Sequence, residues 1–190
     1  MVCYREPGQH FTFYEIDPAI KRIAESPRLF TYLSDSPPDA YDIQLGDGRV
    51  MLTRARDCSF GMIILDAFSS DVIPVHLLTR EAIALYYRKL EPDGFLVFHI
   101  SNPHVSLGPV LGNLAADADS RCWICRDQFV PTDEALTGRE PTLYAVMARD
   151  ASHLNGLLDT GSGLPWIEIT PKQPGPAWTD DFSDVFNILK

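Results

Sequence analysis

The chain has 190 residues, of which 45% are hydrophobic and 22% charged, so it is long and apolar enough to bury the core of a globular domain. Its formal net charge of −10 at pH 7 argues against a nucleic acid partner, because a polyanion would be repelled over most of the surface, and is compatible with a cationic ligand. No apolar run approaches the roughly 20 residues of a membrane helix, and no signal peptide is visible, so we expect a cytoplasmic chain.

The first 56 residues alternate short strands with short helices. Residues 11–15 predict a strand of β-branched and aromatic residues, and Asp17 and Pro18 are residue types that cap and open a helix, here over 19–25. A second strand over 41–45 ends at the Gly46-Asp47-Gly48 turn. Residues 49–56 then fit another short helix.

The most apolar strand of the chain runs from residue 60 to residue 65. Its lack of polar alternation predicts a strand that is buried on both faces of a parallel sheet. The strand ends at Asp66, and small polar residues follow it up to Asp71. Because ligands of open α/β sheets bind beyond the carboxyl ends of the strands, Asp66 and Asp71 are candidate site residues.

The remaining segments continue this alternation. We predict a helix that begins near Thr79, a turn over 92–94, a strand over 95–100 that leads to Asn102, and a helix over about 109–118. Two more strands are predicted over 121–130 and 142–148, after the strand over 95–100. No clear helix separates these last two strands, which predicts an antiparallel edge hairpin. An irregular stretch over 159–177 and a closing segment over 182–189 follow them.

This element order predicts an α/β fold with a Rossmann-like, mostly parallel sheet. We expect residues 1–158 to form the nucleotide-binding domain and residues 159–190 to be an irregular tail that packs back on it. A nucleotide-binding half normally begins with a strand and a Gly-rich turn before the strand that ends in an acid. No Gly-x-Gly-x-x-Gly precedes Glu15, so we expect the first strand and the Gly-rich loop to be lacking.

Cysteine and histidine residues give weaker signals. Cys122 and Cys125 form a C-x-x-C, but no second pair supplies ligands for a metal, and the segment has the pattern of a strand, so we expect reduced thiols and no metal. We expect His76 and His99 to be hydrogen-bonded structural residues.

Five motifs in order resemble the spermidine/spermine synthase family, and more closely its bacterial spermidine-synthase-like branch, which is often fused to a membrane-spanning region. They are Phe-Tyr-Glu-Ile-Asp-Pro over 13–18, Leu-Gly-Asp-Gly-Arg over 45–49, Leu-Asp-Ala-Phe-Ser-Ser-Asp over 65–71, Pro-Val-His-Leu-Leu-Thr over 74–79 and Trp-Thr-Asp-Asp-Phe over 178–182. The resemblance covers essentially the whole chain. It implies a methyltransferase-like Rossmann sheet and transfer of an aminopropyl group from decarboxylated S-adenosylmethionine to a polyamine amine, with release of methylthioadenosine.

The resemblance also implies roles for the acids. Glu15 would accept hydrogen bonds from both ribose hydroxyls, although it is also placed to cap the following helix. Asp47 would accept from the adenine amino group, with Gly46 and Gly48 allowing close approach of the backbone, although it is also an ordinary turn residue. We expect Glu15, Asp47 and Asp66 to line one pocket.

For the reacting groups, Asp66 matches the family's catalytic position. Asp71 matches the second acid of the family's Asp-Ser-Ser-Asp-Pro loop and would hold a substrate nitrogen, and Asn102 faces the same crevice. This chain departs from that pattern, because it has extra residues between the two acids and no proline directly after the second.

Two other functions remain open from the sequence. One keeps the fold but transfers a methyl group from S-adenosylmethionine to a small acceptor. The other is an inactive fragment, or a domain that depends on a partner, since a lacking strand would leave sheet edges exposed. Candidate partners are a polyamine or another cationic substrate, a second copy of the chain, and an N-terminal or membrane-spanning segment of a longer parent, which would associate the chain with a membrane.

Overall fold

The computed structural model describes residues 2–37, 39–67, 74–127, 141–154, 156–158, 165–171 and 175–190. The chain divides into two compact units, Met1–Ala55 and Arg56–Lys190. The division of the chain into a domain over 1–158 and a tail over 159–190 stays a prediction.

The first unit is a two-stranded parallel sheet with two short helices. Its strands pair in register from Phe11 opposite Tyr41 to Glu15 opposite Leu45. A small apolar core lies beneath them, built around the buried side chains of Leu33 and Ala40. The elements are β1 (Phe11–Glu15), α1 (Pro18–Ala24), β2 (Tyr41–Leu45) and α2 (Gly48–Arg54), all at the positions predicted from the sequence to within two residues.

The second unit contains a five-stranded mixed sheet in the order β3-β4-β6-β5-β7. Among the described strands of this sheet, β3 and β4 alone pair in parallel, whereas β4 with β6, β6 with β5, and β5 with β7 are antiparallel. The α/β class is therefore confirmed, with an antiparallel part broader than the predicted edge hairpin. The elements are β3 (Phe60–Leu65), α3 (Arg80–Lys89), β4 (Leu90–His99), α4 (Gly108–Asp117), β5 (Arg121–Asp127), β6 (Thr142–Ala148) and β7 (Trp166–Glu168).

Three local predictions for this unit are wrong. The first half of β3 is not buried on both faces, since Met62 is 38% exposed, and among the described residues β3 pairs with β4 alone. The turn predicted over 92–94 lies inside β4, where a bulge shifts the register against β3. The stretch predicted to be irregular contains β7, which adds to the edge of the sheet at β5.

The C-terminal residues hold the beginning of α3. Thr79 is the N-cap of this helix: its Oγ1 accepts from the Ala82 amide at 3.2 Å and donates to Asp180 Oδ1 at 2.8 Å. The Trp178 carbonyl accepts from the amide of Arg80 at 2.7 Å. The described part of the chain after residue 175 is thereby attached to the second unit. No helix within the described ranges is long and apolar enough to cross a membrane.

Candidate functional site

Glu15 lies at the carboxyl end of β1, where the sequence predicted a ligand-binding acid. Its carboxylate accepts a hydrogen bond from the backbone amide of Asp17 at 2.8 Å. Glu15 and Lys21 are the charged residues around a mainly apolar cavity of about 120 Å³ in the first unit. Pockets for drug-sized ligands span roughly 300 Å³ or more, so this cavity alone is too small for a nucleoside.

The Gly46-Asp47-Gly48 turn connects β2 to α2. Gly46 has a φ of +148°, and a Cβ there would lie 3.0 Å from the side chain of Met51, so the turn requires glycine at this position. The Gly46 amide donates to the Glu15 carbonyl at 2.9 Å, which brings the turn beside the end of β1. The candidate residues of the first unit are therefore neighbours.

Asp47 is the N-cap of α2. Its Oδ1 accepts from the amide of Val50 at 2.9 Å, which satisfies one of the helix's unpaired N–H groups. The structure thus gives Asp47 the turn role that the sequence left open beside ligand binding. Its predicted contact with an adenine ring stays a prediction.

In the second unit, Asp66, His99 and Tyr144 form a cluster at one end of the sheet. Leu65 pairs with Phe98 in the parallel ladder, so the residues that follow them, Asp66 and His99, are adjacent at the carboxyl ends of the two strands. Asp66 Oδ1 lies 2.7 Å from His99 Nδ1. His99 also pairs with Tyr144 across the antiparallel ladder, and the two rings stack with centroids 4.8 Å apart.

The cluster has one exposed side and one buried side. The Asp66 side chain is 66% exposed, whereas that of His99 is 17% exposed. His99 Nε2 is buried, and it has no hydrogen-bond partner among the described residues. Burial, aided by the negative charge of Asp66, raises the pKa of Tyr144, so its hydroxyl is protonated at neutral pH. The Asp66 carboxylate is therefore exposed to solvent and contacts the ring of His99, which stacks on Tyr144.

The other predicted residues of this unit have different surroundings. Asn102 is buried, and its side-chain oxygen accepts from the amides of His104 and Val105 at 2.9 and 3.1 Å. It orders the loop after β4, so its contact with a substrate stays a prediction. Asp71 lies outside the described residues.

The C-x-x-C motif lies on β5, as the strand pattern predicted. Both thiols are free and buried, and burial raises the pKa of Cys122 to about 12. A thiol held protonated in this way is a poor nucleophile and a poor metal ligand. In the described ranges, no group of three His, Cys, Asp or Glu side chains could hold a metal ion.

Sequence reasoning identified Asp66 but missed its two neighbours. His99 was expected to be a hydrogen-bonded structural residue, and its hydrogen bond proves to be with the candidate catalytic acid. The sequence did carry one signal for His99: it is the last residue of β4, just as Asp66 directly follows β3, so both lie at carboxyl ends of strands. Tyr144 carried no signal, because its place depends on the pairing of β4 with β6.

Comparison with known proteins agrees with the α/β fold. A polyamine aminopropyltransferase from Vibrio vulnificus (strain CMCP6) is 37% identical over 93 residues, which are 48% of this chain and 29% of that enzyme. Over the matched part, the chain is similar in sequence to this aminopropyltransferase. No protein-family model matches the chain.

Solved structures of the spermidine synthase family share the fold. A probable spermidine synthase from Corynebacterium glutamicum ATCC 13032 matches with a TM-score of 0.57 and 21% identity, over 90% of this chain and 64% of that one. A spermidine synthase in complex with the transition state analogue AdoDATO matches with a TM-score of 0.55 and 14% identity, over 91% of this chain and 54% of that one. The chain thus spans less than two thirds of the length of each of these three relatives.

Proposed function

We propose that this chain carries the aminopropyl-transfer site of a spermidine-synthase-like enzyme, which moves an aminopropyl group from decarboxylated S-adenosylmethionine to an amine of a polyamine. The observation that carries the proposal is Asp66, an exposed carboxylate at the carboxyl end of β3 that is held by His99. The likeness to a polyamine aminopropyltransferase over 93 residues supports the reaction class.

The chemistry requires a carboxylate of this kind. The attacking amine is protonated at neutral pH and must lose one proton before its lone pair can react. Asp66 takes that proton, the nitrogen forms a bond to the propyl carbon beside the sulfonium, and the carbon–sulfur bond breaks with its electron pair left on sulfur. Methylthioadenosine leaves as a neutral thioether. Proton transfer to a positioned carboxylate typically contributes about 10²–10⁴-fold to a rate.

The residues of the first unit are suited to the nucleoside. Glu15 ends β1 with its carboxylate already fixed by the Asp17 amide, and a carboxylate accepts two hydroxyl hydrogen bonds as a ribose diol requires. The Gly46-Asp47-Gly48 turn beside it allows an aromatic ring to approach the backbone. In this proposal, Glu15 holds the ribose and the turn holds the adenine.

The charge of the chain favours a cationic acceptor. A formal charge of −10 raises the local concentration of polyamines near the protein, whichever acid binds them. Asp71 is the proposed second contact for the substrate's nitrogen, although the spacing between Asp66 and Asp71 departs from the family's loop. We therefore expect the choice of amine to differ from that of the curated relative.

The test measures nucleoside binding and chemistry separately. The full chain is incubated with decarboxylated S-adenosylmethionine and a panel of linear diamines and triamines, and released methylthioadenosine is quantified by liquid chromatography. We expect Asp66→Asn to lower transfer by about 100-fold or more while leaving methylthioadenosine binding unchanged by calorimetry. We expect Glu15→Gln to weaken that binding by about tenfold, the loss of one charge-assisted hydrogen bond.

Asp93→Asn is the matched control. It makes the same chemical change at an exposed acid in the bulge of β4, toward the amino end of that strand, and should leave both readouts unchanged. Full transfer by Asp66→Asn would refute the role of Asp66. A larger thermal stabilisation by S-adenosylmethionine than by its decarboxylated form would favour methyl transfer instead and contradict the proposal.

A further inference from the structure

The contact between Asp66 and His99 has a defined direction. An ionised carboxylate can only accept, so at 2.7 Å the proton lies on Nδ1, and Nδ1–H donates to Asp66 Oδ1. The opposite ring nitrogen, Nε2, is buried without a partner in the part of the chain that the structure describes. A proton there would leave an unsatisfied buried N–H, so the neutral Nδ1–H form is favoured.

This contact is better suited to orientation than to stability. Asp66 is mostly in solvent, and exposed ion pairs and hydrogen bonds of this kind add little to the free energy of unfolding. The imidazole, by contrast, is fixed, because it lies on β4 and stacks on Tyr144. A fixed donor beside an exposed carboxylate limits the orientations of that carboxylate.

We propose that His99 is a positioning residue for Asp66, holding one carboxylate oxygen through Nδ1–H so that the other oxygen meets the attacking amine. The inference rests on the proposed function, since it assigns Asp66 the proton of that amine. His99 takes no proton itself. Its hydrogen bond fixes Oδ1, Oδ2 receives the proton, and the imidazole remains neutral throughout.

Two substitutions separate the hydrogen bond from the ring. His99→Phe keeps a ring to stack on Tyr144 but removes the donor, whereas His99→Asn loses the ring and keeps an amide nitrogen near the place of Nδ1. We expect His99→Phe to lower kcat by about 100-fold, the size of effect that misplacement of a reacting group by about 1 Å produces, with little change in KM. We expect His99→Asn to recover most of that loss.

A second measurement reads the hydrogen bond without turnover. Nitrogen NMR of the full chain labelled with ¹⁵N-histidine reports which ring nitrogen carries the proton, and the His99 signals are assigned by their absence in His99→Phe. We expect the Nδ1–H form in the unsubstituted chain. In Asp66→Ala, we expect the Nδ1 signal to change position because Nδ1–H has lost its carboxylate acceptor, while the proton stays on Nδ1 because Nε2 is buried.

The outcomes distinguish this inference from the proposed function. Equal kcat for His99→Phe and the unsubstituted chain, or equal loss in His99→Phe and His99→Asn, would overturn the positioning role. An Nε2–H form in the unsubstituted chain, or an Nδ1 signal that is unchanged in Asp66→Ala, would overturn the hydrogen bond. An unsubstituted chain that transfers no aminopropyl group, yet shows the expected NMR response, would refute the proposed function and leave only the pairing of the two residues.

Discussion

Asp47 offers the sharpest separation of a structural role from a ligand-binding role. Its Oδ1 accepts from the Val50 amide at 2.9 Å and caps α2, and the proposed function also gives it a hydrogen bond with the nucleoside. Asp47→Ala removes both. Asp47→Ser keeps a side-chain oxygen that caps a helix about as well as aspartate does, but it removes the carboxylate.

The magnitudes of the two effects differ enough to be measured. Loss of an N-cap costs about 1 kcal/mol, within a total stability of roughly 5–15 kcal/mol, and this corresponds to a fall in Tm of about 2–4 °C. Loss of a hydrogen bond to a charged group costs about 1.5–3 kcal/mol of binding free energy, or at least about tenfold in Kd. We expect the fall in Tm in Asp47→Ala alone and the weaker binding in both variants.

The assay pairs thermal denaturation with calorimetric titration of methylthioadenosine for the three chains. If Asp47→Ser binds as tightly as the unsubstituted chain while Asp47→Ala binds weakly, the effect comes through the helix, and the reasoning that places the nucleoside at Asp47 is refuted. Unchanged Tm in Asp47→Ala would instead show that the cap contributes nothing measurable to the stability of α2.

Two further predictions follow from groups outside the candidate site. The hydrogen bond from His10 to Asp42 at 2.9 Å raises the pKa of His10. The contribution of this contact to the free energy of unfolding is therefore complete below about pH 6.5 and is lost as the pH rises through the folded-state pKa of His10. Thermal denaturation between pH 5 and 8 should show this loss of stability in the unsubstituted chain, and an equal loss in His10→Gln would contradict the prediction. Because burial raises the pKa of Cys122 to about 12, a thiol reagent at pH 8 should label the exposed Cys3 and Cys58 and spare Cys122 in the folded chain, as peptide mass spectrometry can check; rapid labelling of Cys122 would refute its burial.

The sequence predicted best what local chemistry decides. Asp17 before Pro18 marks the beginning of α1, and in the structure Asp17 Oδ1 accepts from the Ala19 amide at 2.7 Å. The residue types that begin a helix act on backbone groups only two or three positions away, so the boundary can be predicted from a few residues. The same reasoning located Thr79 before α3, where it caps the helix.

Burial and edge position were predicted less well, because they depend on distant segments. The apolar run of β3 indicated a strand covered on both faces, yet Met62 is 38% exposed. A hydrophobic pattern reports what a side chain prefers and does not report whether another segment covers it. The short strand β7 was not predicted for the same reason. It lies in a stretch rich in glycine and proline, and its partner β5 is some forty residues earlier in the chain.

The pairing of Asp66 with His99 could not be predicted from the sequence, because it depends on the register between β3 and β4. Phe60 lies opposite Leu90, an offset of 30 residues, but from Met62 opposite Phe95 onward the offset is 33. Without the bulge, the offset would stay at 30 residues, and Asp66 would lie beside Leu96, a buried apolar residue. With the bulge, Asp66 lies beside His99. Gly94 accommodates it, since a Cβ there would lie 3.0 Å from the Gly61 carbonyl oxygen. The Pro-Asp-Gly residues that indicated a turn therefore set the register on which the candidate site depends.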